Sequence, residues 1–236
     1  LHQRQTIYGT WIIMATVTAA DGHELDAYAA QPPGDTRGLV VVVQEIFGVN
    51  DHIRSVVDRY AELGYMAVAP SLFDRVQKNV ELNYDEEGIE VGRRIAFDDL
   101  SMDEVMMDIE ATIGHYPQPG GVGIVGYCWG GSICYVAAAR LSDKISAASG
   151  YYGGQIMPHI EEEPKAPLML HFGAEDAGIP LENVHSIAQR WSQIDVHIYE
   201  EAGHGFNCDA RGSYEESSAA LALERTLEHF AQHVDG

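Results

Sequence analysis

Lysine is nearly missing from this chain: among its 236 residues only Lys78, Lys144 and Lys165 are lysines, and 14 basic residues face 36 acidic ones. The resulting formal charge of −22 opposes binding to nucleic acid or to an anionic membrane surface, since both repel a like-charged protein. Cysteine is scarce too. Three residues without clustered spacing build no disulfide framework and fit a reducing compartment. Long apolar runs are absent: LVVVV at 39–43 is far too short to span a bilayer, and YGTWIIMATVTAA at 8–20 lacks the basic flank of a secretion signal. No fixed-period repeat, low-complexity tract or linker-like stretch divides the sequence. The expectation is a cytoplasmic protein with a solvated acidic surface, carrying one domain over 14–236. Residues 1–13 precede Met14 as an extension or an extra edge strand.

What is present is an alternation of strand and helix patterns. MATVTAADGHELDAYAA (14–30) alternates around an Asp-Gly pair and predicts an edge hairpin. LVVVVQE reads as a buried strand, DHIRSVVDRYAELG as an amphipathic helix closed by Gly64, and YMAVAP as a second buried strand. After an irregular polar region at 71–100, predicted to hold a short helix, the alternation resumes. SMDEVMMDIEATIGHY predicts a helix, GVGIVG a strand, WGGSICYVAAARL a helix, ISAASGYYG and APLMLHFG strands, LENVHSIAQRW a helix, DVHIYEE a strand and SYEESSAALALERTLEHFAQHV a closing helix. This grammar predicts an α/β domain, doubly wound around a mostly parallel sheet with an antiparallel N-terminal hairpin, and ligand chemistry at the carboxyl ends of its strands.

Gly126-Tyr127-Cys128-Trp129-Gly130 is a G-x-C-x-G sequence between a strand and a helix, the pattern of a nucleophile elbow with sulfur in place of oxygen. A helix N-terminus favours a thiolate, so Cys128 is predicted to attack; the alternative is a small buried residue in a glycine-rich turn. Chain order favours attack. Asp176 follows the strand LMLHFG and His204 follows VHIYEE, which supplies an acid and a base in the order nucleophile, acid, histidine. Glu175 competes with Asp176 by adjacency, whereas His204, between two glycines, is the histidine best presented at a loop tip. His204 and Cys208 lie four apart but lack two further ligands nearby, so no metal is expected.

The blocks QEIFGVN (44–50), GYCWGG (126–131), GYYGG (150–154), HFGAEDAGIP (171–180) and YEEAGHGF (199–206), occurring in this order, resemble the dienelactone hydrolase family of the α/β-hydrolases. The resemblance implies a Cys-His-Asp triad, no cofactor, a monomeric enzyme and hydrolysis of an enol-lactone in the breakdown of catechols. It gives Glu45 contact with the resting thiol and a part in releasing the thiolate. The amides of Ile46 and Trp129 are the corresponding oxyanion donors, and Phe47 and Tyr151 line the substrate. Family members hold the substrate carboxylate with two arginines. Arg75 in PSLFDR matches the first, but Cys208 occupies the second position, with Arg211 three residues on as a replacement or a surface ion-pair partner. A promiscuous carboxylesterase, or a binding protein on the same scaffold, are the competing functions.

Overall fold

Extended segments open the chain: β1 (His2–Gln5), β2 (Trp11–Thr18) and β3 (Glu24–Gln31) run antiparallel in succession, with Met14 opposite both His2 and Tyr28. The computed structural model describes residues 2–5, 9–118 and 120–236, and its internal contacts gather into two units, Leu1–Val122 with Val234–Gly236, and Gly123–His233. The hairpin expected at 14–30 is therefore present and starts earlier, at Trp11. Of the segment 1–13, residues 2–5 and 11–13 are strand, and residues 1 and 6–8 lie outside the described residues.

In the first unit the chain continues through β4 (Leu39–Val43), α1 (Asp51–Glu62) and β5 (Met66–Pro70). β4 and β5 are buried at every position, as uniformly apolar strands must be when both faces are covered. Strand order is β1-β2-β3-β5-β4, parallel only between β4 and β5. Asn50 caps α1 by accepting the Ile53 amide, and the helix buries Ile53, Val56, Val57 and Tyr60. The irregular region holds a short 3-10 turn (Leu72–Arg75), then α2 (Glu86–Arg94) running into a π-turn (Ile95–Asp99). α3 (Met102–His115) starts from a capping box made by Ser101 and Glu104.

The second unit is parallel throughout. β6 (Val122–Tyr127), α4 (Trp129–Arg140), β7 (Ala147–Tyr151), β8 (Leu168–Gly173), α5 (Leu181–Arg190), β9 (Asp195–Tyr199) and α6 (Glu216–His233) follow in order, and the strands pair β6-β7-β8-β9. β6, β7 and β8 are buried along their whole length while the edge strand β9 is half-buried. Among the described residues no helix is long and apolar enough to cross a membrane.

Candidate active site

β6 ends at Tyr127 and α4 begins at Trp129, so Cys128 alone turns the chain from strand to helix. It does so at φ 55°, a conformation that strains any residue with a side chain. Gly126 makes room for that turn: a Cβ there would lie 2.2 Å from the Gly130 carbonyl oxygen and 3.0 Å from the Cys134 sulfur. Hydrogen bonds hold the turn in place. The Cys128 amide donates to the Tyr151 carbonyl at 3.0 Å, and the Cys128 carbonyl accepts from the Gly131 amide at 3.0 Å. Cys128 is partly exposed, whereas Cys134 and Cys208 are fully buried, and burial pushes the Cys134 thiol far up.

The other two predicted members come from the ends of β8 and β9. Three residues past β8, Asp176 is buried, with one carboxylate oxygen accepting the Gly178 amide at 2.8 Å. The other oxygen accepts from His204 Nδ1 at 2.7 Å, and His204 Nε2 stands 3.2 Å from Cys128 Sγ. Glu175, the competitor, is exposed. Burial alone would lower the His204 pKa, but the hydrogen bonds to Asp176 and Cys128, together with their charges, push it up to about 10. The imidazole thus keeps its proton at neutral pH while sitting between a carboxylate and a sulfur.

Tyrosine contacts differ from expectation by one residue. Tyr151 is fully buried and its hydroxyl is hydrogen-bonded to Thr226 at 2.8 Å, so its side chain faces the interior rather than a ligand. The neighbouring Tyr152, at φ 39°, instead meets the His204 ring edge-on with centroids 5.2 Å apart. The reason is conformational: a left-handed residue at the end of β7 breaks the strand alternation that motif reading assumes. Beneath Tyr151 a polar cluster fills the interior. Thr226 lies 2.9 Å from the Ser149 hydroxyl and 3.1 Å from His171 Nε2, and His171 Nδ1 lies 2.8 Å from the Tyr199 hydroxyl. No carboxylate is among these partners, and burial holds His171 well below the usual histidine value, helped by the charges of His197, Arg225 and His229.

Four predicted residues belong to the first unit. Glu45 is fully buried beyond the end of β4 and accepts the Tyr84 hydroxyl at 3.1 Å. Phe47 is buried with its ring 4.5 Å from that of Tyr84, and Ile46 precedes it in the same loop. Arg75 differs from expectation. Its Nε and Nη2 donate to Asp108 at 2.8 and 2.7 Å, its Nη1 donates to Asp21 at 2.7 Å, and its side chain is 8% exposed. All three guanidinium nitrogens are thereby engaged within the protein. Arg211, in the second unit, is partly exposed with its guanidinium packed against Gly205: a Cβ on that glycine would be 2.7 Å from Nη1. It therefore lies beside the residue that follows His204.

Residues 25–234 match the dienelactone hydrolase family. A carboxymethylenebutenolidase of Pseudomonas putida is 35% identical over 228 residues, covering 92% of this chain and 94% of the relative. A Synechocystis protein assigned the same activity is 36% identical over 227 residues, with 88% and 91% covered. The crystal structure of a Klebsiella pneumoniae protein assigned as a dienelactone hydrolase superposes with a TM-score of 0.83 at 31% identity, over 94% of this chain and 99% of that one. With a matched span this long and an elbow, an acid and a histidine at successive strand ends, the chain belongs to the dienelactone hydrolase family, α/β-hydrolases that act on ester and lactone bonds.

Proposed function

We propose that this hydrolase opens an enol-lactone of the dienelactone type, or a closely related ester, through an acyl-thioester on Cys128. The observation that carries the reading is the unbroken relay from Asp176 through His204 to Cys128, with hydrogen bonds of 2.7 and 3.2 Å. The sulfur forms a bond to the lactone carbonyl carbon, and the amides of Trp129 and Ile46 receive the resulting oxyanion. Collapse breaks the ring C–O bond and expels an enolate, which takes the proton held on His204 and leaves the imidazole neutral. His204, oriented by Asp176, then takes a proton from water as its oxygen attacks the thioester, and the thiolate is released. By family resemblance Glu45 assists release of the thiolate before attack. Arg211 anchors the substrate carboxylate, and Arg75 stays with its two aspartates. The scheme needs no cofactor, and the enzyme acts as a monomer in the cytoplasm.

Turnover of cis- and trans-dienelactone measured beside simple aryl esters and thioesters tests the substrate class. Faster hydrolysis of the lactones is expected; a clear preference for aryl esters would make the protein a general carboxylesterase. Mass mapping after brief reaction with iodoacetamide should find Cys128 alkylated before Cys134 or Cys208, and the reverse order would remove Cys128 as the nucleophile.

A further inference from the structure

The loop after β4 is covered by a segment that motif reading passes over. Gly48 and Glu81 form an antiparallel bridge, the Leu82 amide donates to the Phe47 carbonyl at 2.9 Å, and Arg54 binds both Glu81 carboxylate oxygens at 2.8 and 2.7 Å. Gly48, at φ 78°, admits this approach: a Cβ there would lie 1.9 Å from the Val80 carbonyl oxygen. Residues 80–84 are thus stitched along 47–49, and the stitching brings Tyr84 over Glu45. The Tyr84 hydroxyl stands 3.1 Å from Glu45 Oε2 and 3.1 Å from Asn50 Nδ2.

Donor and acceptor counting fixes the direction of this chain. The Asn50 side-chain oxygen accepts the Ile53 amide as the cap of α1, so the bond to Tyr84 comes from the Asn50 amide group, which can only donate. The phenol accepts that bond and has one proton of its own, which it gives to the Glu45 carboxylate. A buried carboxylate held by an oriented hydroxyl keeps one geometry, whereas an unheld one shares its oxygens among competing donors. The ring of Tyr84 is separately fixed by Phe47.

We propose that Tyr84, with its proton aimed by Asn50, is a positioning residue that holds the Glu45 carboxylate in the orientation needed to handle the thiol. The proposal rests on the part assigned to Glu45 above. It predicts that Tyr84→Phe, which keeps the ring and its contact with Phe47, lowers kcat for dienelactone about tenfold with KM little changed, the effect of losing one hydrogen bond to a charged group. Asn50→Asp keeps the helix cap but replaces the donor by an acceptor that competes for the phenolic proton, and should lower kcat in the same sense. The deciding measurement is a double-mutant cycle. Tyr84→Phe should be silent in a Glu45→Gln background; an equal loss in both backgrounds would show that Tyr84 acts elsewhere and overturn the proposal. If Glu45→Gln lowers kcat and Tyr84→Phe does not, the positioning role alone fails. If Glu45→Gln is itself without effect, the part given to Glu45 fails and the positioning role goes with it.

Discussion

His204 and His171 belong to the same unit, one on the loop past β9 and one within β8, yet their pKa values are pushed in opposite directions. His204 sits on the loop past β9 with a carboxylate on one ring nitrogen, and its pKa is pushed up to about 10. His171 lies within β8 among the hydroxyls of Ser149, Thr226 and Tyr199, and burial keeps it neutral. Both rings are well hydrogen-bonded. What separates them is the charge of the partner: a buried imidazole accepts a proton only where an anion waits for it. The two arginines singled out by the sequence also differ: Arg75 is 8% exposed between two aspartates, and Arg211 is partly exposed with its guanidinium against Gly205.

Removing each histidine should break the comparison most sharply. His204→Ala is expected to lower kcat by roughly a thousandfold or more while leaving the denaturation midpoint nearly unchanged above about pH 10, where the ring has lost its proton and no longer adds stability. His171→Ala should do the reverse. It opens a cavity and leaves three hydroxyl partners short of a hydrogen bond, a destabilisation of about 3 kcal/mol, with kcat of the folded enzyme within about twofold of the parent. Denaturant titration and steady-state kinetics on both variants would expose an error if the two losses fell together on one variant.

How much of this contrast was open to sequence reading depends on the range of the interaction. The elbow, Asp176 and His204 were legible because each follows a strand in a fixed order, and strand ends in a parallel sheet share one edge. The buried strands β4 and β5 were legible as unbroken apolar runs. The partners of Arg75 were not legible because they lie 33 and 54 residues away, and nothing local to PSLFDR announces Asp108 or Asp21. The place of Tyr152 beside His204 was not legible because no sequence pattern marks it as left-handed. Tyr84 stayed hidden in a region whose polar composition reads as loop, although the Gly48–Glu81 bridge gives it a fixed place.

The charge states also predict two separate pH dependences of stability. A histidine whose pKa is lower folded than unfolded contributes stability above its unfolded value near 6.5 and loses it as the pH falls below that value. His171, with His197 and His229 shifted in the same direction, should therefore make the protein fade on the acid side, and His171→Phe should flatten that limb. His204 has the opposite sign. Its contribution is complete below 6.5 and is lost as the pH rises toward about 10, so His204→Gln should flatten the alkaline limb instead. Urea midpoints of parent and variants across this range measure both, and a variant that flattens the wrong limb would reverse the assignment.

Arg75→Ala extends the comparison to the arginines. The guanidinium is 8% exposed and its partner Asp108 carboxylate is 1% exposed, so the substitution strands a buried acid that burial already pushes above the usual carboxylate range. A destabilisation of about 3 kcal/mol is expected, with anionic and neutral substrates affected alike in the folded enzyme. Selective loss of the anionic substrate would return Arg75 to the binding site.

The smallest effect is expected at Arg211, and it is the most selective. Its backbone is tied into the loop by the bond from its amide to the Cys208 carbonyl at 3.1 Å, while its guanidinium packs against Gly205 one residue past His204. Shortening the side chain leaves that backbone bond intact and removes only partly exposed contacts, so Arg211→Ala should cost little stability. Its loss should appear only where the substrate brings a carboxylate. A charge-assisted hydrogen bond contributes about 1.5 to 3 kcal/mol, and in a partly exposed setting the lower end applies, so kcat/KM for an anionic lactone should fall about tenfold through KM. A neutral aryl ester, which presents no charge to the guanidinium, should be hydrolysed at the parent rate. Equal losses on both substrates would mean that Arg211 supports the His204 loop through Gly205 instead of reading charge, and both arginines would then be structural.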